Sequence, residues 1–178
     1  GSAMSGGFIK VNGSTGDWIA PEMSGGKLHI TGNSGHCIAS AYRGASKGVT
    51  GGEIIIEGNV KNELGHAMAG ATMIVGGKCG DFTGVNMVSG TILAFGEMGQ
   101  RTGAGMKRGS IICMDDVKVL PTFSYDCKYS PVYLKLLFKY VKENTTIESE
   151  DKYADGLFHR WSGDAIEMNR GELLVYSA

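Results

Sequence analysis

Five residues, Gly44-Ala45-Ser46-Lys47-Gly48, fit the G-x-S-x-G pattern in which a sharp strand-to-helix turn lifts a serine nucleophile clear of its backbone. Such a serine needs a base and an orienting carboxylate, and the chain order of that arrangement is met by Ser46, Asp116 and His159. The flanks of Gly44 to Gly48 do not read as the buried strand and helix that the turn requires. A stand-alone esterase, or a small-molecule-binding protein using this loop, is therefore an alternative reading carried by residue type alone. Gly76-Gly77-Lys78-Cys79 invites comparison with a phosphate-cradling loop, but Thr72 stands where that loop has its first glycine and Cys79 where it needs a hydroxyl. His29, His36, His66 and His159 form no i, i+4 pair and no metal-ligand spacing, and His66 reads as a turn residue. Cys37, Cys79, Cys113 and Cys127 contain no C-x-x-C pair and read as reduced thiols. Asn12-Gly13-Ser14 and Asn144-Thr145-Thr146 are glycosylation sequons in form only. The expectation is a chain with no catalytic, cofactor-binding or metal-binding residues of its own.

An internal repeat sets the elements that carry these residues. MSGGFIKVNGSTG, MSGGKLHITGNSG, VTGGEIIIEGNVK, MAGATMIVGGKCG, MVSGTILAFGEMG and MKRGSIICMDDVK align without gaps from Met4, Met23, Val49, Met68, Met87 and Met106. The steps between these leading residues are 19, 26, 19, 19 and 19. One unit thus carries seven extra residues, placed around His36 to Gly48 as a protruding loop. In each unit the fifth and seventh places after the leading residue are apolar: Ile9/Val11, Leu28/Ile30, Ile54/Ile56, Met73/Val75, Ile92/Ala94 and Ile111/Cys113. Alternation puts these on one face of a short strand, and a constant unit length stacks equivalent strands in parallel. No single unit buries enough apolar surface to offset its own ordering entropy, so the six are expected to share one core.

Glycine recurs three places after the leading residue, at Gly7, Gly26, Gly52, Gly90 and Gly109, and nine places after it, at Gly13, Gly32, Gly58, Gly77 and Gly96. These read as corners needing positive φ or close backbone stacking. Met23, Met68, Met87 and Met106, with Met4, read as a packing ladder rather than as metal ligands.

The rhythm stops after Val119. Ser130-Pro131 reads as the N-cap and first turn of a helix whose apolar stripe is Tyr133, Leu134, Leu137, Phe138 and Val141, with Lys135, Lys139 and Lys142 elsewhere on the cylinder. Glu148 to Asp155 reads as a solvated connector and Glu172 to Tyr176 as a final strand. Three parts follow: 1–3, which looks like an expression scar; 4–120, the repeat; and 121–178, a helix and strand packed upon it.

The repeat G-x-x-M-x-x-G-x5-G-x-x-G resembles the GXGXG β-helix found at the C-terminus of glutamate synthase large subunits and in the β-helical subunit of formylmethanofuran dehydrogenase. Leu120-Pro121-Thr122-Phe123, a helix beginning near Pro131, Arg160-Trp161-Ser162-Gly163-Asp164 and Arg170-Gly171-Glu172-Leu173-Leu174 look like the tail of that dehydrogenase subunit and of its relative in the formyltransferase/hydrolase complex. The resemblance implies an all-β, right-handed, single-stranded parallel β-helix of 19-residue coils with a C-terminal helical appendage. It also implies a non-catalytic scaffold in one-carbon metabolism, with CO2 reduction at a molybdenum or tungsten pterin and formyl transfer at a dinuclear metal performed by partner subunits. The formyltransferase/hydrolase complex of formaldehyde oxidation is the alternative setting. Tyr42, Arg43 and Lys47 on the protruding loop are the expected partner contact.

Composition narrows the classes further. The 178 residues hold 17 basic and 18 acidic side chains, a net charge of −1, which gives no electrostatic footprint for nucleic acid. No run approaches a membrane span and no secretory leader is visible, so a cytoplasmic location is expected. Strand edges left open at the N-terminal unit predict either self-association or a missing subunit.

Overall fold

The computed structural model describes residues 1–177. Its strands are β1 (Ser5–Val11), β2 (Gly25–Ile30), β3 (Glu53–Ile56), β4 (Ala69–Val75), β5 (Ser89–Ala94), β6 (Ser110–Cys113), β7 (Ser124–Tyr129), β8 (Leu157–Gly163) and β9 (Gly171–Ser177), with one α-helix, α1 (Tyr133–Asn144). All the strands join one sheet in the order β1-β2-β3-β4-β5-β6-β9-β8-β7. Pairing is parallel from β1 through β6 and on to β9, then antiparallel from β9 to β8 and β7.

Register follows the repeat. Ile9 lies beside Leu28, Leu28 beside Ile54, and Met73, Ile92 and Ile111 follow in line, steps of 19, 26, 19, 19 and 19 residues. The chain then leaves and returns, so that Leu173 of β9 extends the same column beside Ile111. The seven-residue excess emerges as a loop whose residues 42–47 are all exposed. A second run of parallel bridges, Ser34 to Val60 to Cys79 to Met98, ties successive units together away from the main sheet.

Two apolar clusters result, one on each face. The inner one takes the fifth- and seventh-place residues from Leu28 to Cys113, the buried Met23, Met68, Met87 and Met106, and Leu173. The outer one takes the residue between each inward pair, Ile55, Ile74, Leu93, Ile112 and Leu174, and covers them with Leu134, Phe138 and Val141 of α1. Each such side chain removed from water contributes roughly 1.5–3 kcal/mol, enough to hold α1 against the sheet.

Two of the corner glycines show the two reasons for their type. Gly52 has φ +93, and a Cβ there would lie 2.7 Å from the Gly26 carbonyl oxygen. Gly77 has ordinary backbone angles, but its Cβ would lie 2.8 Å from the Gly58 carbonyl carbon. A side chain at either place would push successive units apart.

The appendage departs from its sequence reading in three ways. The residue capping α1 is Val132 rather than Ser130, and it makes no side-chain cap. The first turn is closed instead by Leu134 N–H to Pro131 O at 3.1 Å and Lys135 N–H to Val132 O at 3.2 Å, short-range bonds that leave no role for a serine hydroxyl. The Glu148–Asp155 stretch contains a short 3-10 turn, Asp151–Tyr153, because Tyr153 packs edge to ring against Tyr176. Beyond the helix and final strand there are two more strands, β7 and β8, and a register shift between Tyr125 and Cys127 breaks the alternation by which β7 would have been visible.

Candidate functional site

The nucleophile pattern lies on the loop between β2 and β3, exposed from Gly44 to Lys47 and buried at Gly48. No strand enters Gly44 to Gly48 and no helix leaves it; a turn from Ala45 N–H to Tyr42 O, 2.9 Å, is its local order. Asp116 and His159 sit together on the rim of a different groove of about 380 Å³, lined also by Val117, Val119, Tyr125 and Trp161, and Ser46 is not part of it. The structure therefore brings together two members of the triad order and leaves the serine elsewhere. Lys78, read against a phosphate loop, pairs with Glu97 at 2.8 Å on the surface.

The loop side chains expected to meet a partner are exposed. Tyr42 stacks on Trp18 with ring centroids 5.5 Å apart and planes 17° from parallel, which stiffens the base of the loop, and Arg43 and Lys47 project from it.

The thiols do not form a reactive set. Burial pushes Cys79 up to about 12 and Cys113 higher still, keeping both protonated. Burial and the neighbouring Glu63 carboxylate also raise Cys37, while Cys127 is exposed. Among the described residues no group of three or more His, Cys, Asp or Glu side chains is placed to hold a metal ion.

Two polar constellations under α1 escaped the reading of the sequence. His29 Nε2 lies 2.8 Å from Glu57 Oε1, and the Thr146 amide and hydroxyl both donate to the same carboxylate. Burial works to raise the Glu57 carboxyl, but the Thr146 hydroxyl and amide and the His29 imidazole outweigh it and hold the group below its ordinary value. Beside it, Lys27 Nζ donates to the Tyr140 hydroxyl at 2.5 Å, and that hydroxyl donates to Glu53 Oε1 at 2.5 Å. Burial and the Glu53 carboxylate raise the Tyr140 phenol, so it stays a donor. Both constellations fasten the helix and the segment after it to strands more than eighty residues earlier in the chain.

The three tail motifs meet at one end of the inner core. Phe123 is buried there, with its ring directly over Gly163, and Ala165 N–H donates to Thr122 O at 3.0 Å. Asp164 accepts from Gly105 N–H at 2.9 Å and Ile166 N–H at 3.1 Å. Glu172 takes Arg160 Nε at 2.9 Å, the Ser110 hydroxyl at 2.5 Å and the Tyr133 hydroxyl at 3.3 Å. The pattern is that of a seal. The end of the core beside β6 and β9 is closed by the protein's own tail.

Two further stretches of surface are apolar or aromatic. On α1, Leu136 is 74% exposed, and Val132 just before the helix 76%, beside a shallow groove of about 330 Å³ whose walls include Thr72, Thr91, Tyr133 and Leu137. In the other groove Tyr125 meets Trp161 edge to face at 5.2 Å. Neither surface combines a nucleophile, a base and a site for developing charge, the combination that bond-making chemistry needs. Ring faces and aliphatic side chains of this kind fit contact with another protein.

Comparison with known proteins points the same way. Residues 2–146 match the sequence model of the GXGXG motif family. Over 100% of its length the chain superposes on a chain in the X-ray crystal structure of the formyltransferase/hydrolase complex (FhcABCD) from Methylorubrum extorquens in complex with methylofuran, with a TM-score of 0.90 and 30% sequence identity. It spans 66% of that chain. No curated protein matches it.

Proposed function

The chain belongs to the GXGXG motif family, and on that premise we propose that it is a non-catalytic structural subunit of a one-carbon formyl-transferring complex of the formyltransferase/hydrolase type. The observation that carries this reading is the full-length superposition at a TM-score of 0.90 on a chain of such a complex. In this reading the repeat is a right-handed parallel β-helix of 19-residue coils, supported by the constant parallel register of β1 to β6. Its C-terminal end is closed by the appendage, while the exposed loop with Tyr42, Arg43 and Lys47, the outer face of α1 and the Trp161 groove are the surfaces offered to partner subunits.

A formylmethanofuran dehydrogenase is the second setting, because the tail segments Leu120 to Phe123 and Arg170 to Leu174 resemble its β-helical subunit as well as that of the formyltransferase/hydrolase complex. There the partners would hold a molybdenum or tungsten pterin and a dinuclear metal. The residues of this chain do not fit either group: the core thiols are held protonated, and among the described residues no three metal-binding side chains converge. Those centres are assigned to other subunits.

Affinity purification of the tagged chain from its native source tests the proposal. Recovery of an amidohydrolase-like subunit supports it, and molybdenum or tungsten in the recovered complex selects the dehydrogenase. A folded bait that returns alone overturns the scaffold reading. Ester hydrolysis lost in Ser46→Ala would overturn it in favour of the loop.

A further inference from the structure

The inner face of the sheet does not stop at the sealed end. Beyond β6 its fifth-place column runs on through Leu173 of β9 to Trp161 of β8 and Tyr125 of β7, and the seventh-place column through Val175 to His159. The aliphatic residues of the coils give way to rings. Val117 and Val119 flank these rings, and Tyr125 is still 50% exposed. Trp and Tyr carry an apolar body and a polar tip, so they suit a face that meets water when alone and another molecule when one docks.

The rings form a corner. Tyr125 and Trp161 stand 5.2 Å apart with planes 70° from parallel, and His159 lies 5.8 Å from Tyr125 at 49°. The Tyr125 hydroxyl and His159 Nδ1 are 3.3 Å apart, which ties two of the three rings in place. Among the described residues Asp116 is the one carboxylate on the rim, and Lys128, next in the column after His159, lies outside the lining. The groove runs into a second one, of about 440 Å³, that shares Asp116 and Val117 and adds Asp81, Glu97 and Lys118. Glu97 pairs with Lys78, while Asp81, Asp116 and the neighbouring Asp115 form no ion pair among the described residues.

We propose that this corner seats an arginine side chain of a partner subunit, carried on an extended segment that continues along Asp116, Glu97 and Asp81; the inference rests on the scaffold reading. A guanidinium is a flat, weakly hydrated plate that stacks on ring faces and presents its N–H edge to a carboxylate. Laid on one of two rings set at 70°, it is flanked by the other and keeps that edge for Asp116. A lysine ammonium is a compact, strongly hydrated charge with no face to lay on a ring. The aromatic groove is shallow and continues into the acidic one, a shape that takes a chain segment, whereas a small ligand is held by enclosure. Charge fixes the sign of the partner: Asp81, Glu97, Asp115 and Asp116 stand against Lys118 and the already paired Lys78.

The chain has two tryptophans, so NMR can follow the indole N–H of Trp161 with Trp18 as an internal control. N-acetyl-L-argininamide should shift the Trp161 signal saturably and leave Trp18 unmoved, and N-acetyl-L-lysinamide at equal ionic strength should bind at least about threefold more weakly. Asp116→Asn and Tyr125→Leu, both at exposed positions, should each weaken argininamide binding by about threefold or more. No saturable shift, or equal binding of the lysine compound, overturns the inference. In affinity purification from the native source, Asp116→Lys with Tyr125→Leu should lower recovery of co-purifying subunits about tenfold at an unchanged circular dichroism spectrum; where that spectrum changes, Asp116→Lys alone carries the test. Recovery equal to the wild type's overturns docking at the groove. The two readings fail separately. A wild-type bait that returns subunits while argininamide does not bind removes the arginine site and leaves the scaffold. A wild-type bait that returns alone removes the scaffold and, even with argininamide bound, removes a subunit as the source of the guanidinium.

Discussion

His29 Nε2 and Glu57 Oε1 stand 2.8 Å apart, the histidine on β2 and the glutamate just past β3, with both side chains close to fully buried, and Thr146 after α1 closes over the same carboxylate. A buried acid is usually driven toward its neutral form, but here two donors from Thr146 and the imidazole keep it charged. The pair is thus a latch between the repeat and the appendage.

The latch makes acid stability specific. The folded-state value of Glu57 lies below the ordinary 4.5, so its contribution is fully present above that pH and is lost as pH falls through the lower folded value. Glu57→Gln keeps an acceptor for Thr146 and loses the charge. At neutral pH it should cost about 1–3 kcal/mol, the scale of a hydrogen bond to a charged group, and the variant's stability should fall less steeply than the wild type's between about pH 5 and 3. Thermal unfolding followed across that range checks both slope and offset; parallel curves would remove the latch.

At the sealed end, Gly163 has no room for even a methyl group because the Phe123 ring covers it. Gly163→Ala should destabilise by roughly 1–3 kcal/mol through forced displacement of the ring. Phe123→Leu alone leaves a void, yet combined with Gly163→Ala it gives the new methyl somewhere to go. The double variant should therefore be more stable than the sum of the two single losses, a coupling that chemical denaturation of all four proteins measures.

Much of this architecture was legible because a repeat reports its own register. The apolar fifth and seventh places alone locate the inner face from Leu28 to Cys113. The sixth place held a second message. It reads Lys10, His29, Ile55, Ile74, Leu93, Ile112, and the change from polar to apolar marks where α1 covers the outer face. The position of the helix could have been found there. The His29–Glu57–Thr146 and Lys27–Tyr140–Glu53 constellations could not, since their members are separated by up to 113 residues and obey no local period. β7 was hidden for a different reason: its irregular register leaves Tyr125, Asp126, Cys127 and Lys128 without alternation.

The thiols should separate into two classes. Cys127 is exposed, whereas burial holds Cys79 near 12 and Cys113 above it. With a thiol reagent at about pH 8, Cys127 should react first and Cys37 slowly, and Cys79 and Cys113 should react only as fast as the fold opens. Mass mapping of the modified cysteines with and without denaturant checks this. Rapid modification of Cys113 in the native protein would mean that the inner core is not closed.

Between units, two columns of side chains do the work of missing backbone partners. Asn33 Oδ1 accepts Asn59 N–H at 2.7 Å, and Asn59 Oδ1 accepts Lys78 N–H at 2.8 Å. In the second column His36 N–H donates to Asp17 Oδ1 at 2.7 Å, Asn62 N–H to His36 Nδ1 at 3.3 Å, Asp81 N–H to Asn62 Oδ1 at 3.1 Å and Gln100 N–H to Asp81 Oδ1 at 2.8 Å. Each rung adds a bond only when the unit before it is in place, so the columns convert stacking into cooperativity. Asn59→Ala, on an exposed rung, leaves the Lys78 amide to water and should cost about 0.5–1.5 kcal/mol. Asn62→Ala, on a part-buried rung, should cost more, because the Asp81 amide it abandons is harder for water to reach. Hydrogen exchange gives the decisive readout: in Asn62→Ala the Asp81 amide and those of the β4 unit should lose protection together, while amides of β1 and β2 keep theirs. Uniform loss along the whole chain would show that the rungs act through global stability and not between neighbouring units.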